Sequence, residues 1–242
     1  MRSLSFLAIV IIAGLIAGLI HGFVNVLIVE PYLDDAIGIE NQRMFASGNA
    51  KDSPDFWQKF VDYRTWQKQG SIIAGAMLGV ATGALFGVVF AYSRHMLPTQ
   101  NEVIKALVLA GIMWTAIFFI PFLKYPANPP TVGDPNTILF RTLIYIGFVG
   151  LSGFSALAFS KVYKNLHSKK YLAFLGYAGF ISMMFIIFPQ NPDKITISAD
   201  LVNGFRLVSV ITMLAYWIAN ATILGWLWKK VKPHIDAPQV FE

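Results

Sequence analysis

Six uncharged apolar runs dominate this 242-residue chain, and any fold it adopts must keep them out of water. They lie at approximately Leu4–Val29, Ser71–Ser93, Ala106–Leu123, Thr142–Ser160, Tyr171–Phe188 and Leu207–Trp228, each closed by a charge, a proline or both. A hydrocarbon core about 30 Å thick takes roughly 20 apolar residues as a helix. The expectation is therefore an all-α, polytopic membrane helical bundle of about six transmembrane helices, forming a single integral membrane domain over residues 1–242. A composition that is 56% hydrophobic and only 13% charged agrees. The connections leave no room for a soluble nucleotide-binding fold, and there is no glycine-rich phosphate loop. The first run is too long for the 7–15-residue core of a signal peptide, roughly, and no A-x-A site closes it, so it is read as a retained helix.

The net charge of +6 reports topology rather than nucleic-acid binding, because the basic residues come in short clusters between apolar runs. Arg2, Arg94, Lys105, Lys161, Lys164, Lys169, Lys170, Lys229, Lys230 and Lys232 fall on one side, which predicts both termini in the cytoplasm (N-in/C-in). Ten of the thirteen acids then lie outside. The short Lys161–Lys170 connection reads as a plain topology anchor. In the long first outer loop, Ser53-Pro54-Asp55 supplies an N-cap, a first-turn proline and a dipole-matching acid. Phe56, Trp57, Phe60, Val61 and Tyr63 follow at helical spacing, which predicts an interfacial amphipathic helix at headgroup level feeding the second span.

Gly14, Gly18 and Gly22 repeat every fourth residue in the first span, as do Gly75, Gly79, Gly83 and Gly87 in the second. In lipid, helices associate by close packing rather than water exclusion, so these stripes predict that the two spans pack on each other. Gly147, Gly150 and Gly153 continue the theme more loosely in the fourth span.

With no cysteine, thiolate catalysis, iron–sulfur clusters and Cys-based zinc sites are excluded. His21 and Asn25 lie one turn apart in the first span, in its outer half, and an ionisable group at that depth is a functional candidate. Imidazole ligates cobalt, nickel, copper and zinc; a hydrogen bond to a neighbouring helix is the competing reading. Beyond the helix end come the carboxylates Glu30, Asp34, Asp35 and Glu40, and a third outer connection adds Asp134. That connection, Lys124-Tyr125-Pro126-Ala127-Asn128-Pro129-Pro130-Thr131-Val132-Gly133-Asp134-Pro135, is stiffened by its prolines and suits a lid or constriction. Arg141 and Arg206 follow at the mouths of the fourth and sixth spans. They either snorkel to headgroups or pair with Glu30, Asp134 or Asp200. Gly150-Leu151-Ser152-Gly153 has the shape of an intramembrane-protease serine motif but lacks a histidine base on the sixth span, so no catalytic residue is assigned. Asn220-Ala221-Thr222 sits inside the last span and reads as a packing or hydrogen-bonding pair rather than a glycosylation acceptor. Met183-Met184 reads as packing.

The first span Ala13-Gly14-Leu15-Ile16-Ala17-Gly18-Leu19, the Pro31…Glu40 exit, the block from Pro121 to Pro130 continuing through Gly133-Asp134-Pro135-Asn136-Thr137 to Arg141-Thr142, and Phe205-Arg206-Leu207-Val208-Ser209 together resemble the CbtA family of cobalt transporter subunits. The resemblance runs in order over nearly the whole chain. It implies a multi-pass protein of a prokaryotic inner (plasma) membrane that imports cobalt for cobalamin synthesis, beside a small one-helix CbtB partner. After the first helix this chain reads Ala36-Ile37-Gly38-Ile39-Glu40 where an Ala-Glu-x-x-Glu-like exit is expected, leaving Asp34 or Asp35 to stand in for the missing acid.

The expected function is a permease subunit for a divalent transition-metal cation, with cobalt(II) as transported substrate and no permanently bound cofactor. Its metal path would use His21, Asn25, Glu30, Asp34, Glu40 and Asp134. Lys124, Tyr125, Pro126, Asn128, Pro129, Pro130, Arg141 and Arg206 would form the gate. Its partners would be membrane lipids and a CbtB-like subunit, with no nucleic acid. Transport of an anion or polar metabolite, and a non-transporting scaffold role, are the alternatives.

Overall fold

A computed structural model describes residues 3–166 and 168–233; Arg2, one of the residues used to assign topology, lies outside the described set. Among the described residues every regular element is a helix. Five helical stretches are long and apolar enough to cross a membrane: Ser3–Ala46, Pro54–Met96, Glu102–Lys124, Pro135–Asn165 and Ala199–Val231. The shorter Tyr171–Ile187 matches the fifth apolar run. The chain is an all-helical membrane bundle. It divides into two compact units, Met1–Gly111 with Leu207–Glu242, and Ile112–Arg206.

In the first unit, α1 (Ser3–Val24) runs through a π-helical turn (Asn25–Val29) into α2 (Glu30–Ala46). After a turn through Gly48, whose φ of 75° suits glycine, α3 (Pro54–Ser93) returns antiparallel. Ser53 caps α3, its hydroxyl accepting from the Phe56 N–H at 3.3 Å. The segment read as a separate interfacial helix is the first part of this single 40-residue helix. Its inner face is occupied by α2: Phe45 packs edge-on against Phe56 and Trp57, with centroids at 5.0 and 5.9 Å. The Glu30–Glu40 exit likewise continues as helix. Pro31 follows the π turn, whose wider register admits a residue without an N–H and leaves one carbonyl without its partner, so the change from apolar to polar sequence at Glu30 does not end the helix.

Where α1 crosses α3, the glycines leave room only for backbone. A Cβ on Gly22 would come within 2.7 Å of Ile72 Cα, one on Gly75 within 2.8 Å of Gly18 O, and one on Gly83 within 2.7 Å of Gly14 Cα. Gly14, Gly18 and Gly79 meet backbone at similarly short range, whereas Gly87 faces the Val10 side chain. This closeness brings many backbone atoms into dispersion contact.

Helix α8 (Ala199–Val231), from Leu207 onward, completes the unit. Phe86 and Phe90 on α3 pack edge-on against Trp217 and Trp228, at 5.9 and 5.1 Å. At the end formed by Arg94 and the start of α4 (Glu102–Trp114), Glu102 accepts from Arg94 Nη2 at 2.7 Å and Lys105 Nζ at 3.1 Å. All three side chains are largely buried, so Arg94 ties the end of α3 to α4 while Lys105 braces Glu102 from within α4.

The second unit holds the end of α4, a second π-helical turn (Thr115–Phe119), α5 (Ile120–Lys124), α6 (Ile138–Asn165) and α7 (Tyr171–Ile187). Tyr125, Phe148, Ile181 and Met184 form its core, and Phe148 meets Phe185 and Phe188 edge-on at 5.4 and 5.1 Å. The π turn follows from Pro121. In this turn the Ile120 N–H reaches back five residues to Thr115 O. The next donor in that register would be residue 121, and proline has none. The orphaned Ala116 carbonyl instead accepts the Ser152 hydroxyl at 2.6 Å, and Tyr177 Oη lies 3.1 Å from the same hydroxyl. Ser152 is thus a fully buried structural donor. Ser152→Ala is expected to cost about 1–3 kcal/mol, the penalty for stranding a buried carbonyl, as a lowered denaturation midpoint in detergent; Ser152→Thr, which keeps the hydroxyl, should cost less.

Candidate functional site

Three polar clusters carry the sequence-selected residues. The first lies within the spans of the first unit. His21 is 6% exposed. Its Nε2 sits 3.1 Å from Asn25 Nδ2, and its ring lies 5.5 Å from that of Tyr216 on α8. The imidazole lies against the Thr212 backbone, yet Nδ1 is buried with no hydrogen bond of normal geometry. In this orientation the Asn25 amide donates to Nε2; the reverse orientation would accept from Nε2–H and leave Nδ1 a free lone pair. Tyr216 Oη contacts Thr82 Oγ1 and donates to Gly79 O at 3.4 Å, so it reaches the glycine crossing itself. The π turn begins at Asn25, and its register places the partner of the Val26 carbonyl at Pro31, which has no N–H to give. A histidine, an amide and a loosened backbone carbonyl thereby sit on consecutive turns of one helix.

The second cluster lies where α2 begins. Glu30 and Arg64 are both buried and joined through Arg64 Nη2. Asp34 accepts from Arg64 Nη2 at 2.8 Å and Lys68 Nζ at 2.7 Å, and Arg64 Nη1 donates to Gln67 at 2.6 Å. Beside it is a groove of about 390 Å³ lined by residues including Asp34, Asn41, Trp57, Arg64 and Lys68. Sequence reasoning missed Arg64 because it is one of several cations in a long connection, with no local signal marking it as the partner of an acid 34 residues earlier.

The third cluster fastens the proline block within the second unit. Lys124 Nζ donates to Phe185 O at 2.8 Å, and Tyr125 Oη to Pro189 O at 2.6 Å. Burial pushes the Tyr125 hydroxyl above its ordinary pKa, keeping it a donor. Arg206 donates to Asn128 Oδ1 at 2.7 Å and Ala127 O at 3.3 Å, while Pro129 is fully buried and Pro126 and Pro130 half-buried around it. Arg141 pairs with Asp193 at 2.8 Å, whose Oδ1 also accepts from Asp134 N and Thr137 Oγ1 at 3.2 and 2.9 Å. Asp193 was not singled out in the sequence; it lies in an ordinary Asn-Pro-Asp turn.

Several pairings therefore differ from the sequence expectation. Glu30 is held by Arg64, not by Arg141 or Arg206. Arg141 takes Asp193, and touches Asp134 only through its backbone carbonyl. Lys124 and Arg206 bond to neutral acceptors rather than acids. Thr222 donates to Ile218 O on its own helix at 2.7 Å, so it is not the partner of Asn220. Of the metal candidates, the structure joins His21 to Asn25 and links Glu30 and Asp34 through Arg64. Glu40 is exposed on α2, and Asp134 caps the short helix Pro135–Thr137 through Asn136 N at 2.8 Å. Among the described residues no three histidine or carboxylate side chains converge as a metal-binding group.

A family model described as "Probable cobalt transporter subunit (CbtA)" matches residues 4–229, taking in all of these clusters. The chain belongs to the CbtA family. No curated protein and no solved structure matches it. Membership of CbtA makes this multi-pass membrane chain one of a family of transporter subunits, and the word subunit implies a complex with other chains.

Proposed function

We propose that this CbtA-family chain is a permease subunit carrying a divalent transition-metal cation, cobalt(II), inward across a prokaryotic plasma membrane, with both its termini in the cytoplasm. The observation that carries this reading is His21: an imidazole buried within a span, whose Nδ1 lies against the Thr212 backbone without a hydrogen bond of normal geometry, with an amide one turn away. A buried polar atom without a partner is costly in hydrocarbon, and a transition-metal ion is the partner such a nitrogen suits. With Nδ1 as the ligand, the Asn25 amide accepts from Nε2–H and orients the ring, and the Val26 carbonyl adds an oxygen donor on the same helix. Cobalt(II) accepts such mixed ligands.

The carboxylates Glu30 and Asp34 lie at the mouth of this path under the guard of Arg64 and Lys68; Glu40, exposed on the same helix, contributes negative potential rather than a ligand, and Asp134 is occupied in capping its own short helix. In the proposed gate, Lys124, Arg141 and Arg206 act as braces of the proline block. Their commitment to Phe185, Asp193 and Asn128 disfavours the anion-carrier alternative, because these cations already have acceptors. A chain with one histidine in its spans leaves coordination positions open, which a one-helix CbtB-like partner would fill.

Expression of the chain in cells is expected to raise radiolabelled cobalt uptake several-fold, with excess unlabelled nickel and zinc ranking its selectivity. Unchanged uptake from verified membrane-inserted protein, alone or with a one-helix partner, would support the scaffold reading instead.

A further inference from the structure

One buried polar side chain in the first unit has no role in the site described so far. Asn220 on α8 is 1% exposed, and neither Nδ2 nor Oδ1 has a hydrogen-bond partner. Leaving both halves of an amide unsatisfied inside a membrane span is destabilising relative to an apolar residue of similar shape. Such groups in native structures call for an explanation by strain, chemistry or a ligand.

Its position supplies one. Helices α1 and α8 run antiparallel, fixed by two ring contacts: His21 with Tyr216 at 5.5 Å and Phe6 with Trp228 at 6.0 Å. Asn220 lies between these points, one turn or about 6 Å beyond Tyr216, on the side away from the π turn. Thr212, Tyr216 and Asn220 follow at intervals of four on one face of α8, and all three are buried. The α1 residues buried over the same stretch are Gly18, Ala17, Gly14 and Ala13, so α1 contributes no polar side chain there. From the His21 end, the polar groups descend as His21 with Asn25, then Tyr216 Oη with Thr82 and Gly79 O, then Asn220.

We propose that Asn220 is a second ligand station for the transported divalent cation, its amide oxygen receiving the ion after release from His21. Tyr216, whose hydroxyl already has acceptors on α3, separates the two stations. This rests on the permease reading, which it deepens by placing a second binding step on the last span. Two weak stations in series favour transport over retention, because an ion held by few ligands at each can leave.

The test uses the full chain in proteoliposomes, with cobalt(II) flux and melting temperature measured for wild type, Asn220→Leu, Asn220→Asp and His21→Ala. The expected result is that Asn220→Leu raises the melting temperature, by removing an unsatisfied amide, and lowers flux at least tenfold. Asn220→Asp, which keeps an oxygen ligand, should hold flux within about threefold of wild type. A lower melting temperature in Asn220→Leu, with flux within twofold of wild type, would make Asn220 a packing residue and overturn the second station. If His21→Ala loses flux while Asn220→Leu keeps it, the permease reading stands and the station falls. If wild type carries no cobalt, alone or with a one-helix partner, both fall together.

Discussion

Replacing Arg64 by methionine is expected to destabilise the folded chain by about 3–5 kcal/mol, the range for removing one partner of a buried ion pair. Glu30 and Arg64 are only 6% and 7% exposed, so the carboxylate left behind would have little water to turn to. Asp34 is more exposed and keeps Lys68, so it should adapt. The loss should therefore centre on Glu30, and adding Glu30→Gln to Arg64→Met should recover most of it by removing the stranded charge. Denaturation midpoints in detergent for the two single variants and the double variant would give the coupling directly. A single-variant cost below about 1 kcal/mol, the size seen for exposed pairs, would mean that this junction of α2 and α3 is held by its aromatic contacts and the Asp34–Lys68 pair.

The same junction shows where sequence reading stops. The apolar runs identify the spans because length and hydropathy are local properties, and the Ser53 cap and Pro54 start are legible for the same reason. The glycine register along α1 and α3 is equally local, and the backbone approach seen between Gly14, Gly18, Gly22 and Gly75, Gly79, Gly83 occurs at those positions. The continuation of helix past Val29 was not legible, since a switch from apolar to polar residues marks the edge of a membrane rather than the end of a helix. Charge partners were not legible either. Arg64 meets Glu30 only because α3 doubles back along α2, and Arg141 meets Asp193 only because a distant turn folds over the proline block. The π turns needed both a proline and its stranded carbonyl in view: Pro121 alone suggests a kink, whereas Ser152 on Ala116 O shows how the kink is satisfied.

For the candidate site, His21 and Asn25 were legible as a polar pair on an apolar helix. The groups opposite them were not. Thr82 and Tyr216 look like ordinary residues of their own helices, and only the packing of α8 against α1 and α3 brings Tyr216 onto the histidine and Thr82 onto Tyr216.

The second large effect is on transport. His21→Ala is expected to lower cobalt flux by at least roughly 10–100-fold, because losing a ligand should cost no less than losing the outer-shell partner of one. Asn25→Leu, which removes the amide beside Nε2 but leaves the imidazole, should cause a smaller loss. Stability should also fall in His21→Ala, which removes a buried ring and its contact with the Asn25 amide, so flux is compared only between folded proteins. The most direct measurement is initial-rate cobalt(II) entry into liposomes containing purified wild-type or His21→Ala protein, reconstituted with a one-helix partner if flux requires it, at matched protein density and verified folding. Wild-type flux that collapses in His21→Ala would support a metal path through α1; equal flux in the two proteins, or none in either, would contradict it.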